Sequence, residues 1–427
     1  NVDELFELCG ENPREYFNYI KKDESCRYFW EDGKSLTAYS DIDKFTREAE
    51  TKLGESGEAI RSHLKLAKKQ YESTSEFFLK RSLHRLKTYL RFSIFRTILA
   101  IPSLKLFSSM HSVHSRRFRT AHMIQIFDRY ATFNGSTPYR APGTLCMIPH
   151  LEFGIGTFLP EKGMIDITNS LVNLATRQGV NFHFNEKVLK IISDRKEAQG
   201  IIVKRGNKEL VFSSDIVVSN MDITPTYQKL LPHLKEPVKI LTQERSSSAL
   251  IFYWGIKSNF PELDLHNILF SKDYKEEFDS LFKSKNLSSD PTVYINITSK
   301  NIIQDAPNNS ENWFVMINVP SDCGQDWNSI RLRAKKLILD KIKRILGHDI
   351  SSLIECEEYL DPLKIQSKTS SEKGSLYGSS SNSAFSAFLR HPNQRALRNL
   401  YFCGGSAHPG GGIPLCLLSA KIVSDAI

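Results

Sequence analysis

The chain has 427 residues, 40% hydrophobic and 25% charged, the make-up of a globular protein large enough for an extensive core and two domains. No apolar stretch approaches the roughly 18 residues of a membrane-crossing helix, which excludes a transmembrane span. Seven scattered cysteines without C-x-x-C spacing exclude a zinc or cluster site and point to free thiols in a reducing compartment. The net charge of +9 is concentrated: residues 61–120 hold 14 Lys/Arg against Glu72 and Glu76, an excess of +12, which leaves the rest of the chain at −3.

In chain order, residues 1–60 alternate short helical patterns with an extended piece, Arg27–Trp30, turning at Glu31-Asp32-Gly33. Residues 41–130 read as mostly helical. Leu83, Leu86, Leu90 and Ile94 recur at helical spacing, with Lys87 and Arg91 on another face; Pro102 interrupts the run, and Ser108-Ser109 marks a loop. A helix is expected from Gly163 to about Gln178, stopped by Gly179. A strand at Val180–Phe184 and a β-ribbon follow: Val188–Ile192, Gly200–Lys204 and Glu209–Phe212, with a turn at Gly206-Asn207. Asp215–Val218 reads as a buried strand ending at Ser219-Asn220. A helical crossover followed by such a ribbon suits an α/β nucleotide-binding domain. Ala249–Ile256, Thr292–Ile297 and Trp313–Val319 read as strands, and Ile330–Leu346 as a helix.

The last apolar run, Leu400–Cys403, breaks at Gly404 and Gly405 and leads through His408-Pro409-Gly410-Gly411-Gly412-Ile413-Pro414 into an apolar helix. Strand, glycine turn and helix start bring bare backbone and free N–H groups to a flat or phosphorylated ligand. Pro414 suits the first turn, where its missing N–H costs nothing. On its own, a glycine loop capping a buried helix would read the same way.

The whole string, NLYFCGGSAHPGGGIPLCLLSAKI, resembles the flavin-contacting C-terminus of carotenoid desaturases of the phytoene-desaturase family. The likeness extends to Phe127–Glu152, Phe158–Leu171, Ser219-Asn220, Ser247–Ile256 and Ser375–Phe385, so the serine-rich stretch 366–383 is not expected to be a linker. The string RYATFNGSTPYRAP followed by His150-Leu151-Glu152 is similar to the branch of 1-hydroxycarotenoid 3,4-desaturases. The resemblance implies an α/β fold. A discontinuous Rossmann-like FAD-binding domain comprises 153–225 and 390–427, and a mixed α+β substrate domain comprises 1–152 and 226–389, the former mostly helical and membrane-associating. It implies FAD contacts at Val188, Asn220, Gly404, Gly405, His408, Pro409, Gly410, Gly411, Gly412, Ile413 and Pro414, and substrate contacts at Tyr139 and Glu152, with no metal. Two departures stand out. Lys162-Gly163 replaces the usual Gly-Gly, and no G-x-G-x-x-G occurs, so the likeness implies that the family's opening nucleotide-binding unit precedes Asn1.

The implied reaction is FAD-dependent removal of a hydride and a proton from an acyclic carotenoid, best matched to 3,4-desaturation of a 1-hydroxycarotenoid. Phytoene or lycopene desaturation, carotenoid isomerisation and a non-redox isoprenoid escort remain alternatives on the same architecture. No catalytic base is assigned. Glu152 suits a buried partner of an arginine as well as a proton acceptor, and His408 suits a hydrogen-bonding cap of its turn. Residues 61–120 interleave Lys/Arg with Phe, Ile and Leu, as in an amphipathic helix on anionic lipid, whereas the aromatic residues make no nucleic-acid groove motif. The expected location is cytoplasmic and peripheral to the membrane.

Overall fold

Alternation of apolar residues makes strands, and here seven of the fourteen described strands gather into one large sheet. The computed structural model describes residues 1–89, 104–194 and 196–427. In chain order its main elements are α1 (Val2–Leu8), β1 (Tyr19–Lys22), β2 (Glu24–Phe29), β3 (Ser35–Tyr39), α2 (Ile42–Leu53), α3 (Gly57–Thr74), α4 (Met110–Ser115) and α5 (Ala121–Asp128). Then come β4 (Thr157–Pro160), α6 (Ile165–Arg177), β5 (Glu186–Ser193), β6 (Ala198–Arg205), β7 (Lys208–Ser213), β8 (Val217–Ser219), β9 (Ser248–Ile256) and β10 (His266–Leu269). The chain closes with β11 (Val293–Ile297), β12 (Glu311–Val319), α7 (Trp327–Leu346), β13 (Ile354–Leu360), β14 (Leu400–Phe402) and α8 (Ile413–Ser424).

The seven-stranded sheet has the order β13-β9-β12-β11-β10-β2-β3, antiparallel except for the parallel pairing of β10 with β2. One face, with Leu250, Phe252, Trp254, Trp313, Val315 and Ile317, is buried beneath Ala334, Ile338 and Ile342 of α7. The other carries a second core built with α2, α3, α4 and α5, in which Phe45, Ile60, Leu64, Met123 and Phe127 are buried. That helical layer is pinned by polar contacts. His111 and His114 of α4 both place Nδ1 on the buried Asp128 carboxylate that ends α5, at 2.7 and 2.6 Å. The carboxylate and the neighbouring Cys146 hold the His114 imidazole at a pKa of about 9 in spite of its burial. Leu90, Ile94, Arg91 and Pro102, where the helical run and its break are expected, lie outside the described residues.

A smaller unit holds the ribbon β5-β6-β7 and the parallel pair β8-β14. Ile191, Val217, Tyr227, Leu400 and Phe402 form their shared core. The ribbon, the helix before it and its turn fall where the sequence pattern puts them. The strand expected at Val180–Phe184 does not form. Phe182 and Phe184 stay exposed and stack on each other at 5.9 Å. A strand exists through its ladder, and no described strand pairs with this segment. The serine-rich stretch is packed rather than free: Ser375, Ser379 and Ser380 are buried, and Tyr377 donates its N–H to Ser246 Oγ at 3.0 Å.

Candidate functional site

Because β8 and β14 run parallel, their carboxyl ends lie side by side, the edge at which open α/β sheets receive ligands. Asn220 and Gly404 follow those ends, and a Cβ on Gly404 would meet the Asn220 carbonyl at 3.4 Å. Val188 of β5 packs against the same core. From Gly404 the chain turns through Gly405–Gly412 into α8, whose first residues, Gly412, Ile413 and Pro414, are exposed. Among the described residues no side chain caps this helix start, although Asp or Ser caps close most of the other helices, which leaves its N–H groups available to a ligand. Gly412 holds φ +99° with nothing within 4 Å of where a Cβ would be, whereas a Cβ on Gly411 would lie 2.8 Å from Tyr377 Cδ1. The turn is thus open on one side and packed tight on the other.

Buried polar groups hold it in place. Asn393 Nδ2 donates to the carbonyls of Phe402 and His408 at 3.1 and 2.9 Å. His408 is buried, and its Nε2 lies 2.8 Å from the Arg81 carbonyl, so Nε2 carries the proton. Burial lowers its pKa to about 4, leaving a neutral imidazole that braces the turn. The backbone contact thus assigns His408 the bracing of its turn. Pro409 follows directly, and Gly410 rests on Arg390, whose Cζ would be 3.5 Å from a Cβ there. Arg390 donates to the carbonyls of Tyr377, Gly405 and Ser379 at 2.8–2.9 Å and has no carboxylate partner among the described residues. Burial lowers its pKa to about 10 but leaves it cationic, a buried positive charge beside the glycine turn with the Asp222 carboxylate acting on it only from a distance. Arg390 and Tyr377 are missing from the sequence-based set. The one signal was a charged residue set into an apolar stretch just before a His-Pro pair.

Glu152 gathers a second set of groups. Tyr130 Oη donates to its Oε2 at 2.8 Å, and Arg129 Nη2 lies 3.4 Å from the same oxygen and donates to Tyr28 Oη at 3.0 Å. Glu152 Oε1 and Arg129 Nε are buried without a partner among the described residues. Arg129 lies in the RYAT string, whose sequence signal is the overall pattern and not this residue. Tyr139 is elsewhere, its ring 4.6 Å from His111 and 6.3 Å from Phe278, and His150 packs on Tyr71.

Tyr28 belongs to the sheet face opposite α7. Strand register lines up Tyr28, Ile268, Tyr294, Met316 and Ile251 in one row across five strands. A parallel row runs His266, Asn296, Phe314 and Tyr253. Tyr253 is 39% exposed and Phe314 and Met316 are half-buried, so this half of the face is apolar and accessible. It turns polar at the β10 end, where His266 Nδ1 lies 2.7 Å from Tyr294 Oη and burial lowers the imidazole pKa to about 4.

Comparison with known proteins bears on the whole chain. The family profile described as flavin containing amine oxidoreductase matches residues 1–427. A 1-hydroxycarotenoid 3,4-desaturase of Flavobacterium sp. (strain P99-3) is 50% identical over 427 residues, covering 100% of this chain and 86% of that protein. A 4,4'-diapolycopene oxygenase of Methylomonas sp. is 30% identical, with 99% of this chain and 85% of the relative aligned. Among solved structures, the cyclohexylamine oxidase of Brevibacterium oxydans IH-35A superposes with a TM-score of 0.55 at 11% identity, covering 100% of this chain and 84% of that one. At that identity the likeness concerns the fold.

Proposed function

Since the chain belongs to the flavin-containing amine oxidoreductase family, and stands there among the carotenoid desaturases, we propose that it desaturates the 3,4 bond of a 1-hydroxylated acyclic carotenoid. The residues present fit a flavin. An uncapped helix start, a glycine turn open on one side and a buried guanidinium lie together at the carboxyl edge of a parallel strand pair. FAD, when bound, supplies the two-electron oxidant that takes a hydride from a carbon too weakly acidic to be deprotonated first. Gly404, Gly405 and Gly410–Gly412 let the backbone approach such a ring, while Ile413 and Pro414 begin the helix that directs its positive end there. Asn220 and Val188 serve the nucleotide side. Arg390 and the α8 dipole favour negative charge in the reduced site. His408 and Pro409 shape the turn. The observation that carries this reading is the uncapped start of α8 behind Gly412.

The FAD-binding part comprises 153–225 with 390–427, and the substrate part comprises 1–152 with 226–389. The apolar rows on the sheet face suit a polyene. Glu152 Oε1 and Arg129 Nε, one acceptor and one donor without partners, complement a hydroxyl, which both accepts and donates. Tyr139, half-buried beside α4, shapes the wall of that part. Among the described residues no helix is long and apolar enough to cross a membrane. A polyene resides in the bilayer, so the protein reaches it by docking the basic 61–120 region on anionic lipid.

The test is expression of the protein in cells that accumulate 1-hydroxylated acyclic carotenoids. A red-shifted pigment two hydrogens lighter is expected. An unchanged pigment in the presence of folded flavoprotein rejects the substrate and turns attention to phytoene and lycopene.

A further inference from the structure

A cavity of about 500 Å³, lined by no residue of the glycine turn, opens between the start of α3 and the face of α4. It is lined by Ser56, Glu58 and Ser62 on one side and by Lys105, Ser108, Arg116 and Arg117 on the other. Lys105 and Arg116 are exposed, and among the described residues none of the three cations has a carboxylate partner. Arg117 donates instead to Ser62 Oγ at 2.7 Å, which holds its guanidinium at the wall. The 18-residue α3 starts at this cavity and adds the positive end of its dipole.

The cavity wall is built, not incidental. Lys105 sits at φ +51°, a left-handed conformation that a lysine adopts at a cost. Three bonds keep it there: Ser108 N–H donates to the Lys105 carbonyl at 3.1 Å, Gly143 N–H to the Ser108 carbonyl at 2.7 Å, and Thr144 Oγ1 to the Leu104 carbonyl at 3.0 Å. Gly143 is required for this: a Cβ there would come 2.8 Å from Lys105 Cβ and 2.9 Å from its carbonyl. The same short loop thrusts Phe107 outward at 87% exposure. A free phosphate has no use for an exposed phenyl ring. A phospholipid interface uses both, with the cations meeting the headgroup phosphate and the ring entering the acyl boundary.

We propose that Lys105, Arg116 and Arg117 bind the phosphate of an anionic phospholipid headgroup, with Ser56, Ser62, Ser108 and Glu58 hydrogen-bonding to headgroup hydroxyls and Phe107 inserted beside it. This rests on the docking part of the reading above and narrows it from a basic region to one pocket. It does not depend on the identity of the carotenoid.

The test is sedimentation of the full chain with phosphatidylglycerol and with phosphatidylcholine vesicles, together with calorimetry using inorganic phosphate. Wild type should sediment with phosphatidylglycerol alone. The triple variant Lys105→Gln, Arg116→Gln, Arg117→Gln should lose on the order of a hundredfold in partitioning, about fivefold for each cation near an anionic surface. Phe107→Ser should lose about tenfold without altering the preference for phosphatidylglycerol. Neutralising Lys187, Lys204 and Lys208, three exposed lysines of the ribbon, removes the same net charge and should change partitioning by less than about threefold. Equal losses in the two triple variants would overturn the pocket and leave only net charge. Wild-type partitioning in the pocket variant would overturn the pocket and leave docking elsewhere on the basic region. A wild type that ignores phosphatidylglycerol would overturn docking itself, and phosphate binding without vesicle binding would overturn the lipid as the source. Visible flavin absorbance of each variant shows that it has folded.

Discussion

Two adjacent glycines have different jobs. A side chain at Gly411 must displace Tyr377, whereas one at Gly412 meets only open space on a backbone at φ +99°. Gly411→Val is therefore expected to cost about 1–3 kcal/mol by overpacking and to lower flavin retention at least about tenfold, read as visible absorbance of the purified protein. Normal flavin occupancy in that variant would remove the turn from the cofactor site. Glu152→Gln keeps shape and removes charge. If the free Oε1 accepts from a substrate hydroxyl, kcat/KM for the hydroxylated carotenoid should fall about tenfold relative to its deoxy counterpart, since a bond to a charged group is worth about 1.5–3 kcal/mol. An unchanged ratio would give Glu152 no part in selectivity. The buried imidazoles set a pH dependence. His408 and His391 titrate at about 4 and about 3 when folded, below the ordinary value of about 6.5 that they regain on unfolding. At these two sites the unfolded chain therefore binds more protons in that window, so their contribution to stability is complete above about pH 6.5 and is lost as pH drops toward 4, whereas His114, held at about 9, contributes below about pH 6.5 and loses that contribution as pH rises toward 9. Melting temperature should decline over that range, and His391→Phe should flatten the decline.

Elements differ in how openly the sequence displays them. β11 and β12 were legible because one face is buried under α7 and the other is only partly covered, which writes period two into Val293–Ile297 and Glu311–Val319, whereas β9, buried on both faces along most of its length, was legible as a continuous apolar run. β10 is four residues long and β13 carries three glutamates, so neither gives an alternation to read. Val180–Phe184 has the composition of a strand and lacks the ladder, a property of its neighbours and not of its own residues. The glycine turn was legible because its chemistry is contiguous. Arg390 and Tyr377 were not, since each reaches it from a separate segment through carbonyl or van der Waals contacts that leave no pattern along the chain. The row Met316, Phe314 and Tyr253 likewise emerges only from register. Phe314→Ala should raise KM severalfold with flavin content intact, as expected for a lost ring contact of about 1–3 kcal/mol. An unaltered KM would place the polyene away from that row.

For the whole molecule, uneven charge matters more than net charge. An excess of +12 in residues 61–120 against −3 elsewhere is the charge asymmetry on which the proposed docking to an anionic surface rests. Its association with such vesicles should weaken steeply as salt shortens the screening length from about 10 Å at 0.1 M to about 3 Å at 1 M, measured by sedimentation. Salt-independent binding would assign attachment to apolar insertion alone. The basic region is also wired to the glycine turn, for the carbonyl of Arg81 receives the Nε2 proton of His408 across 327 residues of sequence, while His408 Nδ1 has no partner among the described residues. Among the described residues Arg81 is thus the one hydrogen-bonding anchor of a buried ring whose other ring contact is His84 at 5.9 Å, and the integrity of a distant peptide link becomes a condition for holding the glycine turn in place. A protease nick near Arg81 should bleach the protein before any contact at the turn itself has been cut.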